Sequence, residues 1–180
     1  MSDSDFDIRQ YSRGDLNLLR EVCTLIDRRL DDLTEEMDEH GDPDDRGLFD
    51  RFEALASLGL LAFHQFMSQA MGKAGGDPRR RRECLALGPR YNSATTVAEV
   101  LEAGATFVKH CGEPMSNNRA KAILEDAAIW SESKARMPPG SEYPMANLLT
   151  LLARPEAPRF RHLLPTVETW RTSVFAWERD

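Results

Sequence analysis

"LFDRFEALASLGLLAFHQFMSQAMGKA", residues 48–74, decides how this chain is read. Phe49, Phe52, Leu55, Ala56, Leu60, Phe63, Met67 and Ala70 recur mostly at spacings of three and four, the period of a helix and not of a strand. Leu58, Leu61 and Phe66 widen the apolar surface beyond one stripe, so the helix is expected at the centre, contacted from several sides. Gly59 would let one neighbour approach closely. The expected span is about residues 43–73. Asp42 suits the N-cap, Pro43 the first helical position and Asp44 and Asp45 the positive end of the dipole, while "AGG" at 74–76 ends the run. The acidic stretch "DEHGDPDDRG", residues 38–47, has the carboxylates of a calcium loop but neither the glycine nor the glutamate that an EF-hand places at its sixth and twelfth positions. It reads as an exposed loop that starts the helix.

Upstream, Ser12-Arg13-Gly14-Asp15 offers a capping box. Leu19, Val22, Ile26, Leu30, Leu33 and Met37 then form one apolar stripe, opposite Arg20, Asp27, Arg28, Asp31 and Glu35. Downstream, Asp77-Pro78 repeats the cap-plus-proline signal and opens a short helix through the arginines to Leu87, stopped by Gly88-Pro89. Asn92 or Ser93 begins a helix that runs to Gly112. Ser116 caps another, with Ala120, Ile123, Leu124, Ala127 and Trp130 on one face. "MPPGSEYP", residues 137–144, is a loop. Leu148, Leu149, Leu151 and Leu152 mark a compact helix, and Val167, Trp170, Val174 and Trp177 form a final seam. No run has period two and no segment repeats. The fold class is all-α: a single-domain bundle over residues 1–180, with about six helices around one long central helix and residues 1–11 as a flexible lead.

At 180 residues, 41% hydrophobic and 29% charged, the chain can bury a core without disulfides or metal. A formal charge of −7 favours solubility and makes nucleic acid a disfavoured partner. Cys23, Cys84 and Cys111 are scattered, without the spacing of a disulfide framework or a zinc site, which suits a reducing cytoplasm. No signal peptide is visible, and no apolar run approaches the ~20 residues that cross a bilayer. Arginine far outnumbers lysine, a bias of high-GC bacterial genomes. The expected setting is the bacterial cytoplasm, with no membrane association.

The chemistry-bearing candidates cluster in "ATFVKHCGEP", residues 105–114. Lys109 and His110 fall in the last turn of a helix, where cations interact with the dipole and bond unpaired carbonyls, with Gly112 just beyond. The functional alternative puts Lys109, His110 and Glu113 in a cleft. There His110 would carry a proton, Lys109 would hold an anion and Glu113 would orient the imidazole. His64, between Phe63 and Phe66, reads as a hydrogen-bonded core residue. A metal site joining His64, His110 and Cys111 lacks helical ligand spacing, and no phosphate loop or nucleophile elbow is present. No cofactor or metal is expected. Arg79, Arg80, Arg81 and Arg82 place four cations at a helix N-terminus, against the dipole, which favours a contact surface for phosphates or an acidic partner. Trp170 and Trp177 are core residues or, if exposed, partner anchors.

An all-α domain with a histidine-containing polar motif at a helix end resembles the HEPN superfamily, bacterial proteins of toxin–antitoxin and phage-defence systems. "FVKHCGEP", followed by "LLPTVETWR" near the C-terminus, is also similar to bacterial helical proteins carrying a Lys-His motif. HEPN ribonucleases carry an arginine followed, after four to six residues, by a histidine. None of the four histidines here has that arginine. The resemblance therefore implies a helical scaffold like the superfamily's inactive or partner-binding members. The expected function is a helical interaction or regulatory protein that binds a macromolecular partner or homodimerises. The alternative is a metal-independent ribonuclease using His110, Lys109 and an arginine such as Arg90.

Overall fold

The computed structural model describes residues 14–39, 46–110, 118–126 and 143–179. It is an all-α bundle, with seven α-helices among the described residues: α1 (Leu16–Glu39), α2 (Leu48–Met71), α3 (Pro78–Leu85), α4 (Val97–Lys109), α5 (Asn118–Asp126), α6 (Pro144–Ala153) and α7 (Leu164–Trp177). The 3₁₀ segments Gly72–Gly76 and Phe160–Leu163 precede α3 and α7. Among the described residues the only extended pairing is a single bridge between Arg90 and Thr96.

Local signals set most helix starts. Asp15 accepts the backbone N–H groups of Asn17 and Leu18 at 2.9 and 3.2 Å, relieving donors that the first turn leaves unpaired. Asp77 does the same for Arg79 and Arg80, with Pro78 in the first turn. Two starts differ from expectation. α2 begins at Leu48 after Gly47 in a left-handed conformation, φ 64°, so the helix starts later than expected, and the Asp42-Pro43 signal lies outside the described residues. α4 begins after Thr96, whose hydroxyl accepts from the Glu99 N–H while Glu99 accepts from the Thr96 N–H. Asn92 closes a turn instead, accepting from Ala94 and Thr95. α3 ends at Leu85, two residues early. The expected starts at Ser12 and Ser116, the flexible lead at 1–11, and Trp130 all lie outside the described residues.

α2 is the centre. It packs against α1, α4, α6 and α7, and Ala56, Leu60, Phe63, Met67, Ala70 and Met71 are fully buried. α1 runs antiparallel beside it: Glu36 meets Arg51 at one end, and Gly14 lies against Phe66 and Ala70 at the other. Two glycines set close approaches. A Cβ on Gly59 would stand 2.1 Å from the Phe160 ring, and one on Gly104 would stand 2.4 Å from Leu148, both far inside van der Waals contact.

Buried acids join distant segments. Asp27, expected on the exposed face of α1, is 1% exposed. It accepts the N–H groups of Phe160 and Arg161 at 2.7 and 2.9 Å, capping the 3₁₀ segment across the chain. Beside it, Arg159 is buried and bonds Asp31, Leu30 O and Thr34, and its hydrogen bond is the main reason the Asp31 carboxyl lies below the usual range. Glu53 caps α6 through Met145 and Ala146 N–H at 2.9 and 2.7 Å. Burial outweighs those two donors and pushes its carboxyl up.

Candidate functional site

A dense group of ionisable side chains, half-buried except for the exposed Lys109, joins α2, α3 and α4. His64 and Ser68 stand one turn apart on α2. Glu102 and Lys109 stand two turns apart on α4, and Arg81 comes from α3. Glu102 is the hub. One carboxylate oxygen accepts from His64 Nδ1 at 2.8 Å; the other accepts from Arg81 Nη2 at 2.8 Å and Nε at 3.3 Å. Because an ionised carboxylate only accepts, the imidazole carries its proton on Nδ1. Nε2 is left as an acceptor, and Lys109 Nζ donates to it.

Burial opposes charge on Glu102, but the hydrogen bonds from His64 and Arg81, with their fields, outweigh it and hold the carboxyl at about 2. Burial lowers the Lys109 amine below the ordinary lysine range, Arg81 adds to the effect and Glu102 opposes it. Ser68 Oγ lies 3.5 Å from His64 Nε2 and from Arg81 Nη2. Serine, histidine and carboxylate thus stand in the order of a nucleophilic triad. The serine is too far for a good hydrogen bond, however, and the Lys109 amine already occupies the imidazole lone pair. In this state the group is a satisfied clamp across three helices.

Arg81 and Glu102 also wall a cavity of about 310 Å³ between α3, α4 and α5. The facing wall is an ion pair of Arg119 with Glu99, Leu85, Ala103 and Ile123 supply apolar lining, and Arg82 stands at the edge.

The residues singled out from sequence are dispersed. Lys109 ends α4, but its amine turns to His64. His110 is the C-cap and is exposed, its N–H bonded to Thr106 O at 3.2 Å. Glu113 and Cys111 lie outside the described residues. Arg90 precedes α4 and His110 follows it; that 13-residue helix is about 20 Å long. The structure therefore does not bring Arg90 and His110 together. The four arginines do not form one bare patch. Arg79 pairs with Glu83, Arg80 lies over the Trp177 ring at 5.2 Å, Arg81 joins the cluster and Arg82 bonds Pro78 O. Trp170, a partner anchor only if exposed, is 1% exposed and donates from Nε1 to Cys84 O at 2.9 Å. Trp177 is half-buried beneath Arg80.

The cluster had a faint sequence signal: two polar residues one turn apart in the apolar central helix, and a glutamate and a lysine seven apart on another. Neither names the other as partner. A second feature was invisible in the pattern. Leu18, Leu25 and Leu58 are 56%, 62% and 57% exposed. Arg29 and Asp32 of α1 share a groove with Ala54 and Leu55 of α2. One turn onward along both antiparallel helices stand Leu25 and Leu58, with Val22 and Leu18 beyond.

No family model matches this chain, and no curated protein or solved structure is significantly similar to it. Among the described residues no helix is long and apolar enough to cross a membrane, and no three His, Cys, Asp or Glu side chains group as metal ligands would.

Proposed function

We propose that this chain acts by binding, and that its partner is a second copy docked on the outer face of the α1–α2 hairpin. The observation that carries the reading is the exposure of Leu18, Leu25 and Leu58 on the two longest helices. Three half-exposed leucines that continue one groove form an apolar surface of the kind that marks an interaction site.

The α1 stripe is suited to itself. Leu18, Val22, Leu25 and Arg29 follow a four-three-four spacing, the seam of paired helices. In an antiparallel pairing Val22 of one copy faces Leu25 of the other, and Leu18 covers the stem of Arg29. Glu21 then lies beside Arg28 of the second copy, twice by symmetry, so the flanking charges are complementary. Removing a half-exposed leucine from water contributes roughly 1 kcal/mol, which against the cost of association predicts a micromolar dimer. The HEPN resemblance adds a setting, bacterial defence or toxin–antitoxin regulation, in which such a dimer would serve as a scaffold.

Sedimentation velocity from about 1 to 100 µM tests the reading. The expected result is a reversible monomer–dimer equilibrium that Leu25→Glu and Leu58→Glu each weaken at least tenfold, with unchanged helicity. A wild-type monomer throughout that range, or a dimer indifferent to both substitutions, refutes it.

A further inference from the structure

We infer that the cavity between α3, α4 and α5 is a binding site for a small organic monocarboxylate with a hydrocarbon body. The site lies apart from the α1–α2 face and does not depend on the self-association proposed above.

Charge gives the first argument. Arg81, Arg82 and Arg119 line the cavity together with Glu99 and Glu102. Arg81 is committed to Glu102, and Arg119 is paired with Glu99. Three cations against two anions leave one positive charge, and it falls on Arg82. Among the described residues no carboxylate meets the Arg82 guanidinium; its Nε donates to Pro78 O at 3.2 Å, and that leaves its terminal nitrogens as donors. A guanidinium fork matches a carboxylate in shape and charge. One negative charge balances the cavity, whereas a dianion would bring a further charge close to the two glutamates.

Size and lining give the second argument. A space of about 310 Å³ is near the lower end of ligand pockets and equals the volume of about ten water molecules. Leu85 and Ala103 are buried and Ile123 is half-buried, so the lining away from the arginines is apolar. That suits a chain or ring of about ten heavy atoms, with its carboxylate at Arg82 and its hydrocarbon against Ala103. The two glutamates, each in an ion pair with an arginine, select against a second acidic group on the ligand.

The probe is octanoate, with octanol and octylamine as neutral and cationic counterparts. Calorimetry on the full chain should show saturable one-to-one binding of octanoate, with Kd on the order of 0.1–1 mM for a ligand of this size. Octanol and octylamine should bind at least tenfold more weakly. Arg82→Gln, a surface change, should weaken octanoate about tenfold. Thr106→Phe, which fills the cavity from a half-buried position, should abolish binding while circular dichroism stays unchanged. If Thr106→Phe fails to fold, Arg82→Gln decides alone. Three outcomes overturn the inference: no saturable octanoate binding, equal binding of all three probes, or octanoate affinity unchanged in Arg82→Gln.

Discussion

Gly59→Ala should be costly for a reason that a second substitution can remove. Alone in a helix interior, the change would favour folding by about 0.5–1 kcal/mol, because glycine loses more backbone entropy than alanine. Here the new methyl would stand 2.1, 2.2 and 2.7 Å from three carbons of the Phe160 ring, where carbon contacts belong near 3.5–4.0 Å. The ring cannot step aside. Phe160 is fully buried, its centroid is 5.7 Å from that of Phe63, and its N–H is held by Asp27. Overpacking costs about 1–3 kcal/mol, and the anchored ring puts this case at the upper end, so the net loss should be about 2 kcal/mol. Phe160→Ala alone should cost about 3–5 kcal/mol through the cavity it leaves. In that background the Gly59 methyl meets empty space, and Gly59→Ala should become neutral or stabilise by about 0.5 kcal/mol. Urea unfolding of the four proteins, followed by circular dichroism, measures the cycle. Gly76→Ala, with nothing within 4 Å of its new methyl, is the control and should stay within about 0.5 kcal/mol of wild type. Equal costs of Gly59→Ala in both backgrounds would refute the steric account.

The Glu102 carboxyl, held at about 2 in the folded chain against an ordinary 4.5, contributes stability that is fully present above the higher value and lost as pH falls toward the lower. That contribution should be about 2–3 kcal/mol. Glu102→Gln should therefore be less stable at pH 7 and lose less on acidification from pH 5 to 2.5; urea midpoints that run parallel to wild type would contradict this. Trp170→Phe removes the indole hydrogen bond to the Cys84 carbonyl, which keeps the Leu87 N–H, and leaves a small space at a buried site. It should lower the unfolding free energy by about 1–3 kcal/mol in thermal melts. An unchanged melting temperature would mean that neither the hydrogen bond nor the lost packing has net value.

Periodicity and caps determined the fold class. An apolar surface at spacings of three and four has to be helical, and Asp77-Pro78 and Asp15 start helices through atoms two or three residues away. These are interactions within one turn, so the local sequence contains both partners. Tertiary structure decided everything that needs a second segment. Asp27 has the pattern of a solvated face yet caps a 3₁₀ segment more than a hundred residues later. The Trp170 seam looks the same whether it faces a partner or the interior. The arginine run is consecutive in sequence, but successive helical positions point about 100° apart and scatter the four side chains among different neighbours. Glu102, His64 and Arg81 meet because three helices cross there, and Leu25 stays in water because none of the described helices crosses outside α1. A helix period says which residues share a face; only the packing of the other helices says what covers it.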